Sequence, residues 1–260
     1  MSADRPLDGL AALVTGADRG IGRGIALALS RAGCRVAVNY QATADEAEAV
    51  VAEIQASGGN ACTVGADVRR AGEVATMMRA VVDRFGRLDV LVNGVGGGGT
   101  GILAPAEDYP EDKWNWIMEL NLTSALWPSQ AAARQMIEQG QGGSILNISS
   151  VRGQLALRAG YSSYVAAKGA LNMLTKQHAT EWAPHRIRVN AISPTFVRTE
   201  MVADMLATPG FYDSLVGRIP LGRIAEPEDL VGAALFFCSD ASAFVTGQIL
   251  TLDGGLTACQ

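Results

Sequence analysis

The chain runs to 260 residues, 48% of them apolar and 18% charged, with a formal net charge of −5. A chain of this size buries a sizeable core, and residues 1–260 are expected to form one domain. The acidic balance and scattered arginines argue against nucleic-acid binding, and no apolar run reaches the roughly 20 residues a membrane span needs.

Cys34, Cys62, Cys238 and Cys259 show no paired spacing, and the N-terminal MSADRPLDG lacks the apolar core of a secretory signal. Reduced thiols in a cytoplasmic protein are therefore expected. His178 and His185 stand outside any carboxylate or cysteine frame, so no metal site is expected. The Arg69-Arg70 and Arg186/Arg188 pairs read as solvated or capping residues.

In chain order, an apolar strand is expected at 10–14, then a turn carrying Gly16, Gly20 and Gly22. A helix follows, its apolar face running through Ile21, Ile25, Ala28 and Leu29 to a stop at Gly33. Further strands are expected at 35–39, 61–64, 90–93, 144–148, 188–192 and 248–252, with helices at 44–56, 71–85 and 161–182 among the segments between them. Alternation of this kind predicts an α/β fold, a parallel sheet of about seven strands with helices on both faces. The glycine run at 96–101 has no periodicity and reads as a loop.

Two features carry chemistry. The turn spacing G-x-x-x-G-x-G lets backbone amides and a helix N-terminus approach a diphosphate closely. Tyr164 and Lys168 are four apart in YVAAK, which puts them on one helix face. A phenol titrates near about 10, and a nearby ammonium is expected to lower that value into the range of a general acid/base. Tyr161 has Val165 at its own i+4 position and so lacks the cation.

Together, Thr15-Gly-Ala-Asp-Arg-Gly20-Ile-Gly22 and Tyr164-x-x-x-Lys168 resemble the short-chain dehydrogenase/reductase family, and the likeness extends from about Leu7 to Gly255. The resemblance implies a Rossmann-type doubly wound sheet and a nicotinamide cofactor. Gly16, Asp18, Arg19, Gly20, Ile21 and Gly22 would then border the cofactor, as would Asn39 at the end of the second strand. Asp67 and Val68 would meet the adenine after the third strand, with Asn93 and Gly94 after the fourth. Pro194, Val197 and Thr199 would hold the nicotinamide carboxamide. Asn121, Ser150, Tyr164 and Lys168 would be the catalytic set, with Tyr164 as general acid/base and Lys168 also holding the nicotinamide ribose. Ser150 would bond the substrate oxygen, and Asn121 would anchor a water behind Lys168. Neighbouring strand residues face opposite ways, so only one of Ser149 and Ser150 is expected to face the cleft.

Two departures from the family pattern stand out. Asn-Asn-Ala-Gly reads here Asn93-Gly94-Val95-Gly96 and continues through three more glycines, which predicts a looser loop. Pro-Gly after the sixth strand reads Pro194-Thr195, which removes a permissive backbone position.

The second strand ends without a carboxylate to meet a ribose 2′-hydroxyl, and Arg19 can pair with a phosphate. NADP(H) is therefore the preferred cofactor expected, with NAD(H) also accepted through Asn39. The substrate is expected to be a small-molecule carbonyl or alcohol: a sugar acid, polyol, ketose or small ketone. The loops at 97–103 and 154–161 and the segment 198–219 are expected to form its pocket. Phe196, Phe211 and Tyr212 would supply apolar walls, and Arg152, Gln154 and Arg158 polar contacts. The segment GFYDSLVGRIPLGRI resembles gluconate 5-dehydrogenases, while the glycine turn and residues 36–40 equally resemble 3-oxoacyl-carrier-protein reductases. A non-catalytic nucleotide-binding redox sensor is the alternative from another class. Family resemblance also implies a homotetramer built through the helices carrying Asn121 and Tyr164 and the C-terminal strand.

Overall fold

The computed structural model describes residues 5–98, 100–157 and 160–258. Seven parallel strands form one sheet: β1 (Ala11–Thr15), β2 (Arg35–Tyr40), β3 (Asn60–Gly65), β4 (Val90–Asn93), β5 (Gly143–Ile148), β6 (Ile187–Pro194) and β7 (Ile249–Leu252). Their order is β3-β2-β1-β4-β5-β6-β7. Pairing sets Leu13 opposite both Ala37 and Leu91, and Thr15 opposite Asn93. The strand ends agree with the sequence expectation to within two residues, and β4 matches it at both ends. The largest change is in β6, which continues to Pro194 because Pro194 still pairs with Leu252 at the sheet edge.

Both faces of the sheet are apolar, and the period-two alternation sorts them. Ala12, Val14, Val36, Val38, Val90, Val92, Leu146 and Ile148 face one side. There they meet α1 (Gly20–Arg31), α2 (Ala44–Ala56) and α9 (Pro227–Cys238) through Ile25, Leu29, Val50, Ile54, Leu230 and Phe237. Ala11, Leu13, Ala37, Leu91 and Ile145 face the other side. They pack on α3 (Ala71–Phe85), α5 (Ser124–Gln139) and α6 (Ser162–Trp182) through Met77, Val81, Phe85, Met136 and Ala179. Each large side chain so buried stabilises the fold by roughly 1.5–3 kcal/mol, which is why these helices lie flat on the sheet.

The chain runs outward from β1 in one direction through β2 and β3, then returns to place β4 on the other side of β1. Such a reversal opens a crevice beyond the carboxyl ends of β1 and β4. Among the smaller elements, α4 (Glu111–Met118) and α7 (Ala203–Ala207) each give it a lining residue, while α8 (Phe211–Val216) packs behind Phe196. Between α4 and α5 the chain makes a wide π turn over Glu119–Thr123. No described helix is long and apolar enough to cross a membrane.

Candidate active site

A cavity of about 680 Å³ occupies the crevice. One wall is the turn after β1. Gly16 and Gly20 adopt φ of 60° and 54°, the left-handed region that side chains resist. A Cβ on Gly22 would stand 2.2 Å from the Gly16 carbonyl oxygen, so this crossing of turn and helix requires glycine. Arg19 sits at the N-cap of α1 and gives it no side-chain cap. The first amides of α1 therefore remain as donors at the positive end of the helix dipole. Gly16, Asp18, Arg19, Gly20, Ile21 and Gly22 all line the cavity.

Farther along, Asp67 and Val68 line the same wall. Arg69 bonds the Asp67 carboxylate through Nε at 2.9 Å and Nη2 at 2.8 Å. That bond holds the Asp67 carboxyl below its ordinary pKa. Arg69, read from the sequence as solvated or capping, is thus a paired residue of the cavity wall. Arg19 is exposed, with its Nη1 3.8 Å from Glu46 and 4.0 Å from Glu200.

Asn39 lines the cavity and Asn93 does not, and the side chains of both are bonded within the protein. The Asn39 side chain is 1% exposed and turns into the protein. Its Oδ1 accepts from the Gly16 amide at 3.3 Å, and its Nδ2 donates to the Tyr40, Val64 and Ala66 carbonyls. It ties the glycine turn to β2 and β3 and has no donor left over for a ribose. Asn93 does not line the cavity; its Nδ2 donates to Ser129 Oγ at 2.8 Å and Asn147 Oδ1 at 2.7 Å. Gly94 does line it, with its amide donating to Thr15 Oγ1 at 3.1 Å.

The glycine loop after β4 is anchored rather than loose. Asn121, in the π turn, accepts from the Gly97 amide at 2.8 Å and donates to the Gly97 carbonyl at 2.8 Å. A Cβ on Gly96 would lie 2.9 Å from Asn121 Oδ1 and 3.0 Å from Lys168 Nζ, so the loop crosses close above both. Thr195 also costs nothing in backbone strain, since Arg186 is the one non-glycine residue with positive φ among those described. Its Oγ1 is buried, lies on the cavity wall and has no partner there. Pro194, Val197 and Thr199 line the wall beside it.

At the inner end Ser150, Tyr164 and Lys168 come together. Ser149 and Ser150 lie just beyond β5 and both line the cavity, contrary to the expectation that only one would; Ser149 Oγ is bonded to Asn172 Oδ1 at 2.6 Å, while Ser150 begins the turn Val151–Gly153 with its hydroxyl against Tyr164. Lys168 is 3% exposed and donates to the Ile148 carbonyl at 2.9 Å, with Nζ 5.8 Å from the Tyr164 ring centroid. Burial lowers its pKa to about 8. The phenol of Tyr164 is not lowered by the protein's own groups, contrary to expectation. Burial raises it, and the adjacent Ser150 hydroxyl and the Arg152 charge offset only part of that rise. Lys168 does not offset the rise: its ammonium is bonded to the Ile148 carbonyl, and the neighbouring Tyr161 adds to the rise.

Of the expected pocket residues, Phe196 and Arg152 line the cavity, with Tyr161 edge-on to Tyr164 at 6.3 Å between ring centroids. Phe211 and Tyr212 instead pack with Phe196 on Leu215 and Ile219, and Gln154 is exposed outside the lining. Gly99, Arg158 and Cys259 lie outside the described residues. Ile102, Leu157, Met201 and Met205 line the cavity from the three segments expected to form the pocket, while sequence reasoning missed Trp116, which reaches it from α4 with no local signature.

A family model described as enoyl-(acyl carrier protein) reductase matches residues 16–257. Gluconate 5-dehydrogenase of Gluconobacter oxydans is 39% identical over 96% of this chain and 96% of its own. The 3-oxoacyl-[acyl-carrier-protein] reductase of Synechocystis is 39% identical over 94% of this chain and 96% of its own. Among solved structures, a gluconate 5-dehydrogenase from Burkholderia cenocepacia, in complex with NADP and tartrate, superposes with a TM-score of 0.92. It is 36% identical, with all of both chains covered. The glycine turn, the Tyr164/Lys168 pair and these likenesses agree, and the chain belongs to the short-chain dehydrogenase/reductase family of NAD(P)-dependent oxidoreductases acting on CH–OH groups.

Proposed function

We propose that this protein interconverts a carbonyl and a secondary alcohol on a sugar acid, polyol, ketose or small ketone, preferring NADP(H). The observation that carries the reading is one cavity with an uncapped helix N-terminus in its wall and Ser150, Tyr164 and Lys168 at its inner end. Three features fit a dinucleotide: the close glycine crossing, the free amides of α1 and the unpartnered Thr195 hydroxyl where a carboxamide would lie. Gly16 to Gly22 would hold the diphosphate, Asp67 and Val68 the adenine, and Lys168 the nicotinamide ribose.

A nicotinamide held there would supply the hydride chemistry at the carbonyl or alcohol carbon. The protein supplies the proton and the geometry. In reduction the O–H bond of Tyr164 breaks and its proton passes to the substrate oxygen; in oxidation the phenolate takes that proton back. Ser150 donates to the same oxygen and stabilises developing negative charge. Asn121 would anchor a water on a proton path behind Lys168.

NADP(H) preference is supported by a second strand that ends in an inward-turned Asn39 with no carboxylate, and by the exposed Arg19. The Burkholderia neighbour, which holds NADP, supports it further. We further propose cytoplasmic action as a homotetramer of single-domain subunits, which light scattering tests by its mass.

The test follows absorbance of the reduced cofactor on ketoses, sugar acids, polyols, simple ketones and acetoacetyl thioesters, with both cofactors. Turnover of a sugar acid, polyol, ketose or ketone with NADP(H) supports the proposal. Preference for the thioester favours a 3-oxoacyl-carrier-protein reductase. Cofactor binding with no turnover favours a redox sensor.

A further inference from the structure

Three arginines line the cavity, and they differ in what faces them. Arg19 has Glu46 and Glu200 within 4.0 Å, and Arg69 is bonded to Asp67. The Arg152 side chain has neither an ion pair nor a hydrogen bond among the described residues; only its backbone amide donates, to Ser150 Oγ at 3.1 Å. It is partly buried, and burial together with the like charge of Arg218 lowers its pKa. Arg218 is exposed and is also without an ion pair among the described residues. The acidic residues of the cavity wall are Asp18, Asp67 and Glu200. They belong to the other end: Asp67 is held by Arg69, Glu200 faces Arg19, and Asp18 is its chain neighbour.

A guanidinium drawn from water beside a like charge, with no counter-charge, costs stability unless an anion meets it. Its planar fork suits a carboxylate. Because Arg152 lies on the turn immediately after Ser150, such a carboxylate would belong to the molecule whose oxygen Ser150 and Tyr164 address. We infer that Arg152 determines specificity by binding the carboxylate of a hydroxy- or keto-acid substrate, with Arg218 adding to the attraction. The inference rests on the proposed oxidoreductase activity and narrows its substrate class to sugar acids over polyols, ketoses and neutral ketones.

The test pairs 5-keto-D-gluconate with L-sorbose, which has the same carbon skeleton with a hydroxymethyl group in place of the carboxylate. Wild type is expected to favour the acid. In Arg152→Met the ratio of kcat/KM for acid over sorbose should fall 10- to 100-fold, chiefly through KM of the acid, the size expected for a lost charge-assisted bond. Arg152→Lys, which keeps the charge without the fork, should lie between. An unchanged ratio in Arg152→Met overturns the inference. Should wild type turn over neither compound, calorimetric titration of gluconate onto the NADP-loaded protein decides. Binding by wild type that Arg152→Met loses supports the role of Arg152, even though the proposed substrate reading has then failed. No binding, or equal binding by both, overturns it.

Discussion

Lys168 donates its ammonium to the Ile148 carbonyl at 2.9 Å, and this bond sets the depth at which the lysine stands beneath the cavity. The same Nζ lies 5.8 Å from the Tyr164 ring centroid, so the pair shares a helix face without touching tip to tip. A buried cation held this way is a titrating group, with its pKa lowered to about 8.

Stability should follow that titration. An unfolded lysine titrates near about 10.4, so between there and about 8 the unfolded chain holds a proton that the folded chain has shed. Stability contributed by Lys168 therefore rises with pH across this window, and it is lost as pH falls through about 8. Urea denaturation of wild type and Lys168→Met from pH 7 to 10 should show wild type gaining on the variant above pH 8. A constant difference would show that the lysine does not titrate there.

The two serines separate stability from chemistry. Ser149→Ala leaves the buried Asn172 Oδ1 without its 2.6 Å partner and should cost about 1–3 kcal/mol, with turnover retained. Ser150→Ala should retain the melting temperature and lower kcat by about 10²–10³, as loss of an oxyanion donor does. The reverse pattern would put the reactive face of the strand on the wrong residue.

Arg19 is exposed on the cavity wall beside the glycine turn, although Glu46 and Glu200 dilute its charge. Arg19→Ser should raise KM for NADPH 10- to 100-fold and leave NADH within about threefold, since only the former carries the 2′-phosphate. Equal effects on both cofactors would assign Arg19 to the shared diphosphate instead.

Legibility in the sequence followed the range of the signal. Strands β1 to β7 were readable because each carries a short apolar, largely β-branched run, and helices 44–56 and 71–85 matched to the residue because turn signals bracket them. Tyr164 and Lys168 were readable from a four-residue spacing. What was not readable depends on partners far along the chain. Asn39 turns inward because the Val64 and Ala66 carbonyls wait beside it, and Asn93 because Ser129 and Asn147 do. The glycine loop is held because Asn121, 24 residues on, grips both sides of Gly97. Trp116 reaches the cavity from α4, an element whose docking no local pattern encodes.

The central claim is that the Tyr164 hydroxyl transfers the proton. Single-turnover reduction of the best substrate, with reduced-cofactor binding measured in parallel by fluorescence, compares wild type with Tyr164→Phe. The account predicts a loss of at least about 10³-fold in the chemical step, with the cofactor Kd within about threefold of wild type. A Tyr164→Phe protein that reduces substrate at the wild-type rate would contradict it.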